Sequence, residues 1–460
     1  MQSEPNGNPP GTIAAKQPQL LRALGPWETT AIVMGVMIGT AVFIVPAEIT
    51  REVGSPRAAL AVWAVGGLLS LFGALSFAEL AAMMPQAGGQ YVYLREAYGS
   101  LIGFLCGWTF FLAAQSGGIS VLAVGFAQYL GDFFPLSPWQ QKAAAAASIV
   151  LFTAINYRGV REGGRVQSLL TGLKVGAIAA LIILGYLLVT GPPKGVPSLP
   201  APRGAGFLAS FGVAMVAALW AYDGWNTCTF AAAEVKRPER NLPLALILGT
   251  GGVVVIYLGL NLVYYHVLTL PEIAQSPRVA ADAAVRIFGR AGSYLVSLAI
   301  IICTLGSLNG SILAAPRVYY AMAQDGLFFR WCAAVHPRFR TPHVALIVQG
   351  LWAVLVVAMG TYEQLFTYVI FAAWVFNGLA GFAVIILRRK RPDLPRPYRV
   401  FGYPVVPIIF VLTSTWFIVN TLVEKPVESG IGSLIVALGV PVYLIWKRRL
   451  TAGQTRDAQQ

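Results

Sequence analysis

The sequence predicts an all-α polytopic membrane protein with twelve transmembrane helices, ten of them forming a five-plus-five inverted repeat in which helices 1 and 6 are broken. Three observations predict it. Apolar runs of bilayer length recur from Trp27 to Lys447, basic residues gather on one side of them, and the first and sixth runs are interrupted near the middle. The 460 residues are 57% hydrophobic and only 11% charged, whereas a soluble domain carries about 25% charged residues. The runs lie near 28–50, 57–84, 101–130, 140–157, 166–190, 207–233, 243–268, 292–322, 343–360, 363–387, 404–423 and 430–446. Each is long enough to cross a hydrocarbon core of roughly 30 Å at about 1.5 Å per helical residue.

The formal net charge of +14 would suggest a nucleic-acid partner in a soluble chain, but its distribution points elsewhere. With the N-terminus in the cytoplasm, the tail, the even-numbered loops and the end after the last run hold 23 of the 33 Lys and Arg residues. The odd-numbered loops hold 9, with residues near run ends, such as Lys142 and Arg317, counted with the adjacent odd and even loop respectively, and Lys174 lies deep inside a run. Both termini are therefore expected in the cytoplasm, and the cluster "RRKRPDLPRPYR" (388–399) reads as a topology anchor. No basic face interleaved with aromatic residues accompanies it, so no nucleic-acid partner is expected. The first 26 residues lack the basic stretch, apolar core and cleavage site of a signal peptide and read as a flexible tail. Cys106, Cys228, Cys303 and Cys332 show no paired spacing, so neither a disulfide nor a metal site is expected, and nothing asks for a cofactor.

The organisation that follows is a flexible cytoplasmic tail over 1–26, a first repeat over 27–190, a second over 207–390, helices 11 and 12 over 400–450, and a cytoplasmic tail over 451–460. Between the repeats, "TGPPKGVPSLPAPRGAG" (190–206) is a Pro/Gly connector. The first interruption is Gly39-Thr40-Ala41 in "GVMIGTAVFIVP"; the second is Asp223-Gly224 in "LWAYDGWNTCTFAAAE". They sit five runs apart, and an odd number of spans inverts the second half relative to the first, an arrangement in which secondary transporters bind substrate at paired broken helices. A helix broken in lipid exposes backbone N–H and C=O groups at a cost of several kcal/mol each unless a cavity or ligand satisfies them.

These breaks imply a site. The turn from Ile38 to Ala41 would aim free amides and a positive dipole end at an anion such as a carboxylate. Carbonyls near Met37 and Ile38, and near Trp220 and Ala221, would accept from an ammonium group. Together they describe the two charged ends of a free amino acid. A lone glycine at position 39 would have a plainer reading, close packing of helices.

The stretches "MIGTAVF", "ALSFAELAAMMPQAGGQYVYLREAYG", "LWAYDGWN", "EVKRPERNLPLAL" and "GSLNGSILAAPRVYYAMAQDG" resemble the amino acid, polyamine and organocation superfamily. The likeness, from about Leu24 to Leu450, is greatest to the L-type amino acid transporters in a bacterial form, with their LeuT-like fold. It implies a sodium-independent amino-acid transporter of the plasma or inner membrane, an exchanger of neutral and in part cationic L-amino acids working by alternating access, with proton symport as the alternative. Family members commonly carry Gly-Ser-Gly in the first break to hold the substrate carboxylate through backbone amides. Here Gly39-Thr40-Ala41 departs at two positions, and alanine at 41 tolerates positive φ less readily than glycine.

By the same resemblance Trp220 matches the aromatic gate over the substrate, although tryptophan also anchors helices at the interface. Asp223 and Asn226 follow it. An ionisable group inside a span costs about 3 kcal/mol on insertion scales, which makes Asp223 a substrate contact or a cap of the second half-helix. Lys174, in "LLTGLKVGAIAAL", lies eight residues past Val166, about 12 Å deep by helical rise, and needs an internal partner. The resemblance implies that its ammonium replaces the cation of sodium-coupled relatives, touching carbonyls near Gly35 and Val36 and a hydroxyl such as Ser307.

Asn377, in "AAWVFNGLAG", matches a position near the substrate side chain, but a buried amide also joins helices. Gln115 and Ser116 are weaker pocket candidates, and Glu79 is expected in a structural salt bridge or hydrogen bond. An enzyme is not expected, because His266, His336 and His343 fall near run ends and form no metal or catalytic pattern. A channel would ask for rings of carbonyls or charges along a pore. The loop "GDFFPLSPW" (131–139) lacks the cysteine through which mammalian members pair with a single-span glycoprotein, so no disulfide-linked heavy chain is expected.

Overall fold

Proline and small polar residues mark where the helices begin, because the first N–H groups of a helix have no partner within it. Ser55 accepts from the Ala58 amide at 3.2 Å ahead of Pro56, and Ser137 and Gln140 cap each other's backbone around Pro138. The computed structural model describes residues 19–191, 206–360 and 362–457, with the side chains of 362–370 and 449–457 excepted. Most of the predicted tail, most of the 190–206 connector and the last three residues lie outside them.

The chain runs through α1 (Pro26–Met37) and α2 (Ala41–Val53), the halves of the first run, then α3 (Pro56–Met83) and the short α4 (Gln90–Tyr98). The third run is α5 (Ser100–Thr109) and α6 (Gln115–Leu130), joined by a π-helical turn over Phe110–Ala114; α7 (Pro138–Tyr157) and α8 (Val160–Leu188) follow. The sixth run is α9 (Phe207–Ala221) and a 3-10 stretch over Trp225–Glu234, and the seventh is α10 (Pro238–Val267). Two short helices, α11 (Leu270–Gln275) and α12 (Val279–Phe288), precede α13 (Ala291–Ala314) and α14 (Pro316–Gln324), which make up the eighth run. Then come α15 (His343–Met359), α16 (Tyr362–Lys390), α17 (Val405–Glu424) and α18 (Pro426–Asp457).

All twelve predicted runs are thus helical. Among the described residues nine helices are long and apolar enough to cross a membrane, or ten with the pair α1 and α2, which meet at 45°. The fourth and ninth runs do not pass by themselves. Gln140, Gln141 and Lys142 dilute the start of α7, and α15 has 17 residues. The last helix passes the predicted end at 446 and continues to Asp457, since hydropathy marks only the part that meets lipid.

The broken helices form the centre. α1 packs against α8, α10, α13 and the Trp225–Glu234 stretch; α2 packs against α9, and α3 against α9 and α10. At the end where α1 begins, Leu24 and Val235 form a parallel backbone bridge, with Lys236 N donating to Leu24 O at 2.8 Å. Beside it Glu234 and Arg317 form a fully buried ion pair at 2.6 and 3.0 Å, and Arg317 also donates to the Leu313 carbonyl. A charge this deep is tolerated because its partner and hydrogen bonds come with it. Glu79 accepts from Arg388 through both oxygens, at 2.8 and 2.7 Å, and from the Val400 amide at 2.7 Å. The expected structural bond is there, drawn from the basic cluster.

Candidate functional site

At the first break, α1 stops after Met37, Ile38 leaves helical geometry with ψ 82°, and α2 resumes at Ala41. The amides of Thr40, Ala41 and Val42 belong to the opening turn of α2, whose N–H groups a helix cannot satisfy internally. Gly39 has ordinary negative φ, and Ala41 is already helical. The departure from glycine at 41 therefore costs no strain. Nor does close packing explain Gly39: a Cβ there would meet just the Ser307 hydroxyl, at 3.9 Å. The packing glycine is Gly35, where a Cβ would stand 1.9 Å from Gln167 Nε2.

The carbonyl side of this break is filled. Lys174 is fully buried, and its ammonium donates to Gly35 O at 2.8 Å, Ile38 O at 2.9 Å and Cys303 O at 3.0 Å, with Ser307 Oγ at 3.5 Å. Three carbonyls use all three of its donors, and two of them lie at the C-terminal end of α1, where the helix dipole favours a cation. The second carbonyl from α1 is that of Ile38 rather than the expected Val36, because the chain turns out of the helix at Ile38 and redirects that oxygen. The Ser307 hydroxyl, with one proton to give, lies within donating distance of Gly35 O and Ile38 O, at 2.9 and 3.2 Å. A buried amide chain braces α8 beside it: Gln167 donates to Ala31 O at 3.1 Å and accepts from Asn309 at 2.8 Å.

At the second break α9 ends at Ala221, and Gly224 takes φ 102° with a site so close to α1 that a Cβ would stand 2.8 Å from Val36 Cγ1. Glycine is required there on both counts. Asp223 is exposed although its neighbours from Ala221 to Phe230 are buried, so its carboxylate faces open space within the sixth run. The Gly224 amide lies beside it, and it forms no ion pair among the described residues. Trp220, Gly39 and Thr40 are half-buried.

Tyr257 of α10 joins the two breaks, and sequence reasoning missed it. Its hydroxyl lies 2.8 Å from Met37 O and 3.3 Å from Ala221 O. Two of the four carbonyls expected to take an ammonium thus share one hydroxyl proton, while Ile38 O faces Lys174 and Trp220 O accepts from the Asp223 amide at 3.1 Å. A carbonyl has two lone pairs; those of Met37 are both taken, since the Gly39 amide also donates to it at 2.9 Å, while Ala221 retains capacity. No periodicity distinguishes Tyr257 from other tyrosines in apolar helices.

Asn377 is drawn into a buried amide triad. It accepts from Gln90 and from Asn226, each at 3.1 Å, and Asn226 also donates to Gln90 at 3.2 Å. This ties α16 and α4 to the second broken helix. Ser116 is buried and its hydroxyl bonds Phe111 O, at 2.7 Å, across the π turn; Gln115 beside it is half-buried.

A family model described as "Amino acid permease" matches residues 24–446. Among named relatives, the serine/threonine exchanger SteT of Bacillus subtilis is 33% identical over 438 residues, covering 94% of this chain and 98% of the relative. The b(0,+)-type amino acid transporter 1 of Mus musculus is 31% identical over 460 residues, with 96% and 93% covered. The human cystine/glutamate transporter is 30% identical over 452 residues, with 96% and 89% covered. A match over nearly the full length, on a helical membrane chain whose first and sixth runs are broken side by side, places it: the chain belongs to the amino acid permease family.

Proposed function

We propose that this permease is a sodium-independent exchanger of free L-amino acids, neutral and in part cationic, rather than an enzyme. It would sit in the plasma or inner membrane with both termini in the cytoplasm and without a disulfide-linked heavy chain. The single observation that carries sodium independence is the Lys174 ammonium on the carbonyls of Gly35, Ile38 and Cys303, a fixed cation where a mobile one would otherwise bind. Exchange is favoured by the relative named as an exchanger.

In this reading the substrate carboxylate meets the amides that open α2, those of Thr40, Ala41 and Val42, with Gly39 leaving room beside them. Its ammonium uses the free lone pair of Ala221, and its side chain extends toward Asp223 with Trp220 closing over it. The two proposed repeats, 27–190 and 207–390, would rock about this centre. The Leu24–Val235 bridge and the buried Glu234–Arg317 pair hold the end near α1 closed, and alternating access requires them to part.

The deciding experiment is uptake of a labelled amino-acid panel into proteoliposomes, with choline in place of sodium, comparing vesicles preloaded with unlabelled amino acid against empty ones. Strong stimulation by the preload is expected. Uptake abolished without sodium would end the reading of Lys174, and flux that ignores the preload but follows a proton gradient would make the protein a symporter.

A further inference from the structure

Away from the breaks, a groove of about 450 Å³ opens between the outer faces of α7 and α15. Its walls are apolar, from Ile149, Val150 and Ala154 on one side and Ile347, Leu351 and Val354 on the other, and Val150 and Leu351 are exposed. It follows α7 from Ile149 to Tyr157, about 12 Å of helical rise, the form of an extended hydrocarbon chain rather than of a compact polar solute. The Thr153 hydroxyl in the wall has no hydrogen-bond partner.

One end of the groove is polar. Arg158 lines it beside Tyr157 and Phe339, and the Arg338 guanidinium lies over the Phe339 ring at 5.5 Å. Both arginines are exposed, and neither has a carboxylate within ion-pair distance among the described residues. Glu162, the nearest acid in sequence, folds back over Gly159 instead. The mouth is braced: Thr341 Oγ1 donates to Tyr157 O at 2.9 Å, and His336 Nδ1 accepts from the Arg338 and Phe339 amides at 3.2 and 3.1 Å. Arg158 and Arg338 belong to the loops that the charge asymmetry assigns to the cytoplasm, where the leaflet is rich in anionic lipid.

We propose that this groove is a binding site for an anionic phospholipid of the cytoplasmic leaflet. One acyl chain lies between α7 and α15, and the phosphate lies at Arg158 and Arg338. The charge complementarity of the mouth selects the lipid, and the apolar trough excludes a free phosphate as the natural occupant.

The test is native mass spectrometry of the full chain in detergent, titrated with phosphatidylglycerol or with phosphatidylcholine of identical chains. Two basic residues at a membrane surface predict roughly a tenfold or greater preference for phosphatidylglycerol. The double variant Arg158→Gln/Arg338→Gln is expected to bring that preference to about parity, and Arg161→Gln, on the same side but outside the groove, to leave it. Ala154→Trp, which fills the trough, is expected to expel both lipids; if it does not fold, the arginine variants decide alone. Equal retention of the two lipids, or a preference that survives the double variant, overturns the proposal. So does a co-purifying single-span protein that Ala154→Trp displaces, which would assign the groove to a partner helix.

Discussion

The two breaks differ in what they leave unsatisfied. Around Gly39 the freed carbonyls are claimed by the protein itself: Lys174 and Ser307 take Gly35 and Ile38, and Tyr257 takes Met37. Around Asp223 the backbone is pinned by Gly224, while the carboxylate faces open space without an ion pair. At the first break a lysine ammonium therefore already occupies the freed carbonyls, with the opening amides of α2 on the other face. The second offers a charge that a ligand can meet. Equivalent positions in an inverted repeat thus carry unequal chemistry, which suits a substrate with two different ends.

The variant expected to do most damage is Lys174→Ala. It takes the ammonium from three buried carbonyls, of which the single Ser307 hydroxyl proton can serve one, and each buried polar group left without a partner costs about 1–3 kcal/mol. Uptake is expected to fall at least about a hundredfold, measured in proteoliposomes against protein that still runs monodisperse. Near-normal uptake would erase the distinction between a filled first break and an open second one.

Next comes a pair of glycines. Gly224→Ala must accept φ 102° and a contact with Val36 at 2.8 Å, and a loss of about 1–3 kcal/mol in stability is expected. Gly39→Ala meets only a hydroxyl at 3.9 Å and is expected to change stability by less than about 0.5 kcal/mol while raising the substrate KM. Melting curves of the two, set beside uptake, sharpen the contrast between a structural glycine and a functional one. A large stability loss for Gly39→Ala would return that residue to helix packing.

Tyr257→Phe removes the one hydroxyl shared by both breaks. The expected cost is about 1–1.5 kcal/mol, close to tenfold in apparent affinity, with the fold retained because the ring still packs against Trp63 and Tyr222. An unchanged KM would mean that the breaks are coupled by packing alone. The smallest effect is a change in ratio: Asp223→Asn is expected to leave neutral substrates within about twofold and to weaken cationic ones several-fold. Equal losses for both, read by competition uptake, would assign Asp223 to the cap of the second half-helix.

Much of this was legible before the fold was known, because bilayer thickness and the hydrogen-bonding needs of the backbone act on any sequence alike. Lys174 stood out because an ammonium about 12 Å deep needs a partner wherever it lies, and Gly39 and Asp223 because each weakens an apolar run at its middle. The α7 and α15 spans were weaker signals, diluted by polar residues and by length. Tyr257, Gln90 and the Glu234–Arg317 pair were not legible. A tyrosine in an apolar helix carries no mark of which carbonyl it will meet, and an acid and a base 83 residues apart declare themselves only when two helices bring them together. Asn377 was placed on the right element, but its immediate partners, Gln90 and Asn226, come from two others.

By itself the sequence determined the membrane class, the helical runs, the charge asymmetry and the two interruptions, since each depends on local composition and on the cost of leaving polar groups in lipid. Only the tertiary structure decided which groups answer the broken backbone. It put Lys174 against Gly35, Ile38 and Cys303, and Tyr257 between Met37 and Ala221. It also left Asp223 facing open space. The physical reason is range: hydrophobic length and charge asymmetry are properties of a segment, whereas a hydrogen bond of about 3 Å between residues on different helices exists only after the packing that brings them together.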